Sequence, residues 1–213
     1  MVAVLCAGLG VSGAGVVEWL SGSPNSIFST SALLVGLGAA VLFAFVRARP
    51  AGLLRLKPID VLWSIGVGLF LRLTVGGLAG ANSAAFPTAG GEGAVSRSDW
   101  WLTYALPAGL VGPLVEEIFF RGVLLVVIYQ LLRRSVGALA AGVSSLLFTS
   151  AAFLMLHAFF SPLAVVDGLQ LLLVAFTCGL LVLLTGRLWP AVLAHVVYNG
   201  SYLVLVLAGS VLA

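Results

Sequence analysis

Seven predominantly apolar runs, each close to the roughly 20 residues that cross a bilayer, take up nearly all of this 213-residue chain. They fall at about 2–20, 28–46, 59–80, 102–132, 136–159, 163–185 and 190–212. In hydrocarbon every backbone polar group must be satisfied within the chain, so runs of this length fold as helices. Composition agrees: 62% of residues are hydrophobic and 8% charged, against roughly 25% charged in a soluble domain. The expected fold class is all-α, a polytopic transmembrane helical bundle of about seven spans. No room is left for a sizeable soluble domain.

The polar connections orient the bundle. Arg47, Arg49, Arg55 and Lys57 lie between the second and third runs, Arg133 and Arg134 between the fourth and fifth, and Arg187 between the sixth and seventh. These are alternate connections on one side, and an excess of Lys and Arg marks the cytoplasmic side. The expectation is an integral protein of a prokaryotic cell membrane, with its N-terminus cytoplasmic and its C-terminus outside. Residues 1–20 lack the basic start of a cleaved signal peptide, so the first run reads as a retained helix. The one long polar connection, from Ala81 to Trp100, carries Glu92, Arg97 and Asp99 and reads as an exposed extracytoplasmic loop. The chain divides into N-terminal helices with that loop, 1–99, and a second unit, 100–213. Trp19, Trp63, Trp100, Trp101 and Trp189 stand near run ends, as interfacial anchors do. Basic residues form no cluster, so nucleic acid is not an expected partner. Cys6 and Cys178 lie alone inside apolar runs, suggesting neither a disulfide framework nor a metal knuckle.

Within the fourth run stands Glu116-Glu117-Ile118-Phe119-Phe120-Arg121. Three ionisable groups in six residues at membrane depth are costly and call for a functional reason. Side chains on a helix turn about 100° per residue, so the two glutamates face different points. Glu117 and Arg121, at i and i+4, can pair. That frees Glu116 as the better candidate for a general base. His157 follows Phe153 by four residues, and His195 and Asn199 share a helix face at i and i+4. Each feature has a plainer reading: a buried salt-bridge network, a core histidine, an interhelical amide bond. Together they supply a base, polarising or metal-binding nitrogens and an oxyanion donor, the requirements for amide hydrolysis.

Glu116-Glu117-x-x-x-Arg121, Phe153-x-x-x-His157 and His195-x-x-x-Asn199, the last preceded by Trp189-Pro190, come in that order on successive runs. In this the chain resembles the CAAX protease and bacteriocin-processing family, also called Abi, over about residues 100–205. The resemblance implies an intramembrane endopeptidase in which Glu116 activates a water that His157 holds or polarises. It further implies that His195 and Asn199 stabilise the oxyanion, while Glu117 and Arg121 support the site. Glu116, His157 and His195 could also ligate zinc with water in the fourth position. A metal-free mechanism with glutamate as base fits these residues equally well. The implied partners are membrane lipids and a lipidated or transmembrane peptide substrate. Nothing in the sequence indicates an oligomeric state. The rival reading is a scaffold or small transporter that uses the same Glu and His structurally or as a proton relay. A relay has no need of Asn199 beside His195, and no internal repeat of the kind common in transporters is evident.

Straight helices pose one difficulty. Counted from the basic ends at 1.5 Å per residue, Glu116 falls near mid-membrane, His157 near the outer side and His195 nearer the inner side. Tilted or broken helices, at Thr149-Ser150 or Pro190, are one way to bring them together. Arg72, midway along the third run, is a further costly charge expected to pair with a carboxylate or to line a cavity.

Overall fold

The computed structural model describes residues 2–21, 27–48, 51–90 and 98–212. Arg49, Glu92, Arg97 and the side chain of Cys6 lie outside the described residues. Among those described the chain is helical, with no strand. In chain order the helices are α1 (Val2–Ser21), α2 (Ile27–Arg47), α3 (Pro58–Leu78), α4 (98–136), α5 (138–160), α6 (Val165–Thr185) and α7 (Trp189–Leu212). Five helical runs are long and apolar enough to cross a membrane; one is the continuous 60-residue stretch Trp101–Phe160, and α1 contributes the shorter apolar helix Ala7–Leu20. This is an integral membrane protein, and about seven spans is an approximate count. Large apolar side chains face outward along the bundle, Leu73 at 75% and Phe70 at 68% exposure, which lipid tolerates as water does not.

The 60-residue stretch is two helices. Gly137, with φ 80° and ψ 167°, breaks it in a conformation that favours glycine. Phe120 and Phe153, nearly equidistant from Gly137 along the chain, bring their rings to 5.3 Å, so α4 and α5 form an antiparallel hairpin. Both arms meet α6, because a Cβ placed on Gly179 would collide with Leu146 of α5 and lie 3.4 Å from Leu125 of α4.

That hairpin resolves the depth difficulty. Leu188, at the start of α7, packs against Gly122 of α4, 3.4 Å from where its Cβ would stand. Gly137 lies 15 residues farther along α4, roughly 22 Å at 1.5 Å per residue. The basic connections therefore do not share one depth: the α4–α5 tip extends well past Arg187. Once α4 and α7 are aligned through Gly122 and Leu188, Glu117 and His195 come level. The α5 helix runs unbroken through Thr149-Ser150, and Pro190 sits in the first turn of α7, where a missing N–H costs nothing.

Close approach of small residues sets the helix contacts, as is usual in lipid. Gly10 of α1 faces Gly36 of α2, where an added Cβ would come within 2.6 Å of the partner Cα. Gly68 of α3 faces α7 at Ala194 and Val197. At the basic end Arg187 donates to Asp60 through Nε at 2.9 Å and Nη2 at 2.5 Å. This pairing holds the Arg187 guanidinium above its ordinary pKa. Trp189 Nε1 donates to the Leu54 carbonyl at 2.9 Å, and the Leu188 N–H to Leu53 at 2.8 Å. The 81–90 part of the long connection is mostly exposed, yet it folds back on α7: Pro87 presses on Gly209, and the Ala89 N–H bonds Ser210 Oγ at 3.0 Å.

Candidate active site

The α4 helix is wound irregularly around the glutamate pair. Trp101–Ala105, Pro107–Val111 and Ile118–Leu125 are π-helical, and Gly112–Glu117 between them is α-helical. Such turns are uncommon and concentrate at functional sites. Their effect here follows from proline. The Gly112 N–H bonds the carbonyl five residues back, Pro107; the next donor in that pattern, toward Ala108, is Pro113, which has no N–H. The Ala108 carbonyl is thus freed, and Asn199 Nδ2 of α7 donates to it at 2.8 Å. A gap in the helix ladder of α4 fixes the orientation of the Asn199 amide.

Glu117 and Arg121 are both fully buried and paired at 2.9 Å through Oε1 and Nη1. Arg121 Nη2 also donates to the Ala175 carbonyl of α6 at 2.8 Å. The same Glu117 Oε1 lies 2.9 Å from His195 Nδ1. A carboxylate can only accept, so Nδ1 carries the proton and Nε2 of His195 is the remaining ring nitrogen. Sequence spacing assigned Glu117 to Arg121 alone; its second task, holding a histidine on α7, spans 78 residues and has no local signature. Glu117 Oε2 is buried without a hydrogen-bond partner, and a carboxylate oxygen of Glu117 lies within 4.8 Å of Cys178 Sγ of α6.

His157 is set from its own helix, Nδ1 lying 3.0 Å from the Phe153 carbonyl. That contact makes Nδ1 the donor and leaves Nε2 as the ring's acceptor when the imidazole is neutral. The Phe153 ring ties the parts together: its centroid is 4.5 Å from that of His157 and 6.0 Å from that of His195, and the Arg121 guanidinium stands 4.9 Å over its face. The spacing Phe153-x-x-x-His157 thus supplies both a carbonyl and an aromatic wall.

Glu116, His157, His195 and Asn199 all line one open pocket of about 550 Å³, together with Tyr198 and Asp167. Glu116, His157 and Asn199 are half-buried there, whereas Glu117 and Arg121 sit behind the wall. Thr30, Leu33 and Leu34 of α2 complete the wall. A side cavity of about 150 Å³ between α2 and the end of α5 also reaches Glu116 and His157. Arg72 serves differently from expectation. Its Nη2 donates to the Tyr198 carbonyl at 2.8 Å, and its guanidinium stacks 3.9 Å from the Tyr198 ring, bracing a residue of the pocket wall.

Among the described residues one group of three candidate ligand atoms lies within 4.8 Å of one another: Glu117, Cys178 and His195. Glu116 and His157 are not part of it, so the set Glu116, His157, His195 is not drawn to ligand spacing. In the group that is close, Glu117 already faces the guanidinium of Arg121, and a dication there would meet a like charge. Neither set fits a zinc ion as arranged.

Comparison with known proteins adds one finding. The family model of Type II CAAX prenyl endopeptidase Rce1-like proteins matches residues 98–201, the stretch from the start of α4 into α7 that carries every pocket residue argued above except the α2 wall. No curated protein and no solved structure matches the chain. Residues 98–201 of this membrane protein are therefore an Rce1-like protease domain of the CAAX protease and bacteriocin-processing family.

Proposed function

We infer that this chain hydrolyses a peptide bond in a lipidated or membrane-associated substrate, with Glu116 as general base and no metal in the chemical step. The observation that carries this reading is the convergence of Glu116, His157, His195 and Asn199 on one pocket from three packed helices. Glu116 takes a proton from a water positioned by the acceptor nitrogen of His157, and the hydroxide adds to the scissile carbonyl. His195, held by Glu117, and the second N–H of the Asn199 amide stabilise the oxyanion that forms. As the tetrahedral intermediate collapses, Glu116 returns its proton to the leaving amine, so the base is restored. Glu117 with Arg121 keeps negative charge behind His195 and away from the attacking water.

The test is cleavage of acylated and transmembrane peptides by detergent-purified protein beside Glu116→Gln. Loss of cleavage in a variant that still folds supports the assignment. Full activity in Glu116→Gln shows that another group is the base. The rival scaffold or transporter reading would be favoured by folded wild-type protein that cleaves nothing.

A further inference from the structure

We propose that the catalytic pocket opens on the extracytoplasmic side of the membrane, so that its substrate is an exported or membrane-anchored peptide segment presented from that side. The inference rests on the hydrolytic reading of the pocket and deepens it by naming where the substrate comes from.

Five helices agree on the position of the pocket. It is lined by Thr30 near the start of α2, Thr103 near the start of α4, His157 near the end of α5, Asp167 near the start of α6, and Asn199 midway along α7. Leu163, in the α5–α6 connection, reaches the pocket mouth. In each of α2, α4, α5 and α6 these positions belong to the half of the helix remote from Arg47, the Arg133-Arg134 tip and Arg187. The pocket thus runs from the level of His195 to the end of the bundle that carries the α5–α6 connection.

The two ends differ sharply in charge. Among the described residues six Lys and Arg side chains (Arg47, Arg55, Lys57, Arg133, Arg134 and Arg187) belong to connections and helix ends at the far end, where Asp60 is the acidic residue. The described connections and helix ends on the pocket side carry Glu18, Asp99 and Asp167 and no Lys or Arg. Short connections rich in Lys and Arg stay in the cytoplasm, and this bias sets the orientation of the whole bundle. The pocket is therefore extracytoplasmic. A C-terminal prenylated cysteine motif, exposed on the cytoplasmic leaflet, faces the wrong end of this bundle, whereas an exported acylated peptide or the outer flank of a membrane anchor reaches it.

Orientation can be read without turnover. Ala164→Cys, exposed beside Leu163, and Arg134→Cys, exposed on the α4–α5 tip, are each expressed in a bacterial host, with the unaltered chain giving the background from its own two cysteines. Intact cells are treated with a membrane-impermeant maleimide, then permeabilised and treated with a fluorescent one. Blocking in intact cells should abolish the later signal at Ala164→Cys and leave it at Arg134→Cys. Pro162→Cys, also exposed in the α5–α6 connection, repeats the measurement at a second position. Reaction at 162 and 164 only after permeabilisation overturns the proposal. Oriented vesicles supply the second arm: an N-acylated fluorogenic peptide added from outside should be cut by right-side-out vesicles, and cutting by inverted vesicles alone overturns the assignment of side. Labelling depends on no catalytic step, so failure of the protease reading leaves the orientation result standing, and the reverse holds equally.

Discussion

Replacing Gly68 by alanine tests whether the contact between α3 and α7 sets the catalytic geometry. A Cβ at this position would lie 2.7 Å from the Ala194 carbonyl oxygen and 2.8 Å from Val197 Cβ. Neither is the end of a flexible side chain. Ordinary contact begins near 3.4 Å, so the helices must part by about 0.7 Å, the difference between 3.4 and 2.7. Overpacking of this kind costs about 1–3 kcal/mol. Ala194 and Val197 flank His195, and the shift displaces His195, Tyr198 and Asn199 relative to Glu117 and the Ala108 carbonyl, which α7 meets with another face. A misplacement near 1 Å costs on the order of 100-fold in rate, so a loss of roughly 10- to 100-fold is expected. Gly66, one half-turn away, is the control. A Cβ there meets nothing within 4 Å, and alanine at an unhindered helix position gains about 0.5–1 kcal/mol. Both variants are compared for peptide cleavage and for thermal unfolding in detergent. Equal activity and equal melting of Gly68→Ala and Gly66→Ala would refute the argument.

Other consequences follow from the buried pair and the pocket. Glu117→Gln keeps the shape but removes the charge that faces His195 Nδ1 and Arg121; kcat should fall by about 10²–10⁴, and an unchanged rate would remove Glu117 from the mechanism. Arg121→Ala leaves the Glu117 carboxylate buried and unpaired, a loss of about 3–5 kcal/mol, to be read as reduced folded yield in gel filtration as well as lost cleavage. Asn199→Ala removes a donor to the oxyanion, lowering kcat by about 10²–10³ with little change in KM; a change confined to KM would place Asn199 in substrate binding instead. Cleavage should persist in excess chelator, and activity restored only by added zinc would show that the donor groups rearrange around a metal.

Much of the bundle was legible in the chain because lipid imposes one rule on every crossing: the backbone must bond to itself. Span limits read from hydropathy lie within a few residues of the helices. The break at Gly137 was legible only as a boundary between two runs; that it closes a hairpin reaching past Arg187 was not, since length counted from loop ends assumes that all loops lie at one depth. The i, i+4 pairing of Glu117 with Arg121 could be derived from helix geometry alone, as could the shared face of His195 and Asn199. The bond from Asn199 to Ala108 did leave a trace in Pro113, five residues after the carbonyl it leaves free, but reading it required knowing that this turn is π-helical.

The sequence by itself determined the class of protein and the chemical groups available to it, because hydrophobicity and periodicity act locally. Apolar length makes the helices, and the motif spacings choose which side chains share a face. Only the tertiary structure decided how those faces meet. Glu117 bonds a histidine 78 residues away, Cys178 and Phe153 enter the surroundings of the site, and Arg72 braces Tyr198 instead of joining a carboxylate. These contacts depend on helix offset and on approach at Gly68, where the absence of a side chain allows α7 to come near. A missing atom carries no hydrophobic or charge pattern, so its partner is defined only when the helices are packed.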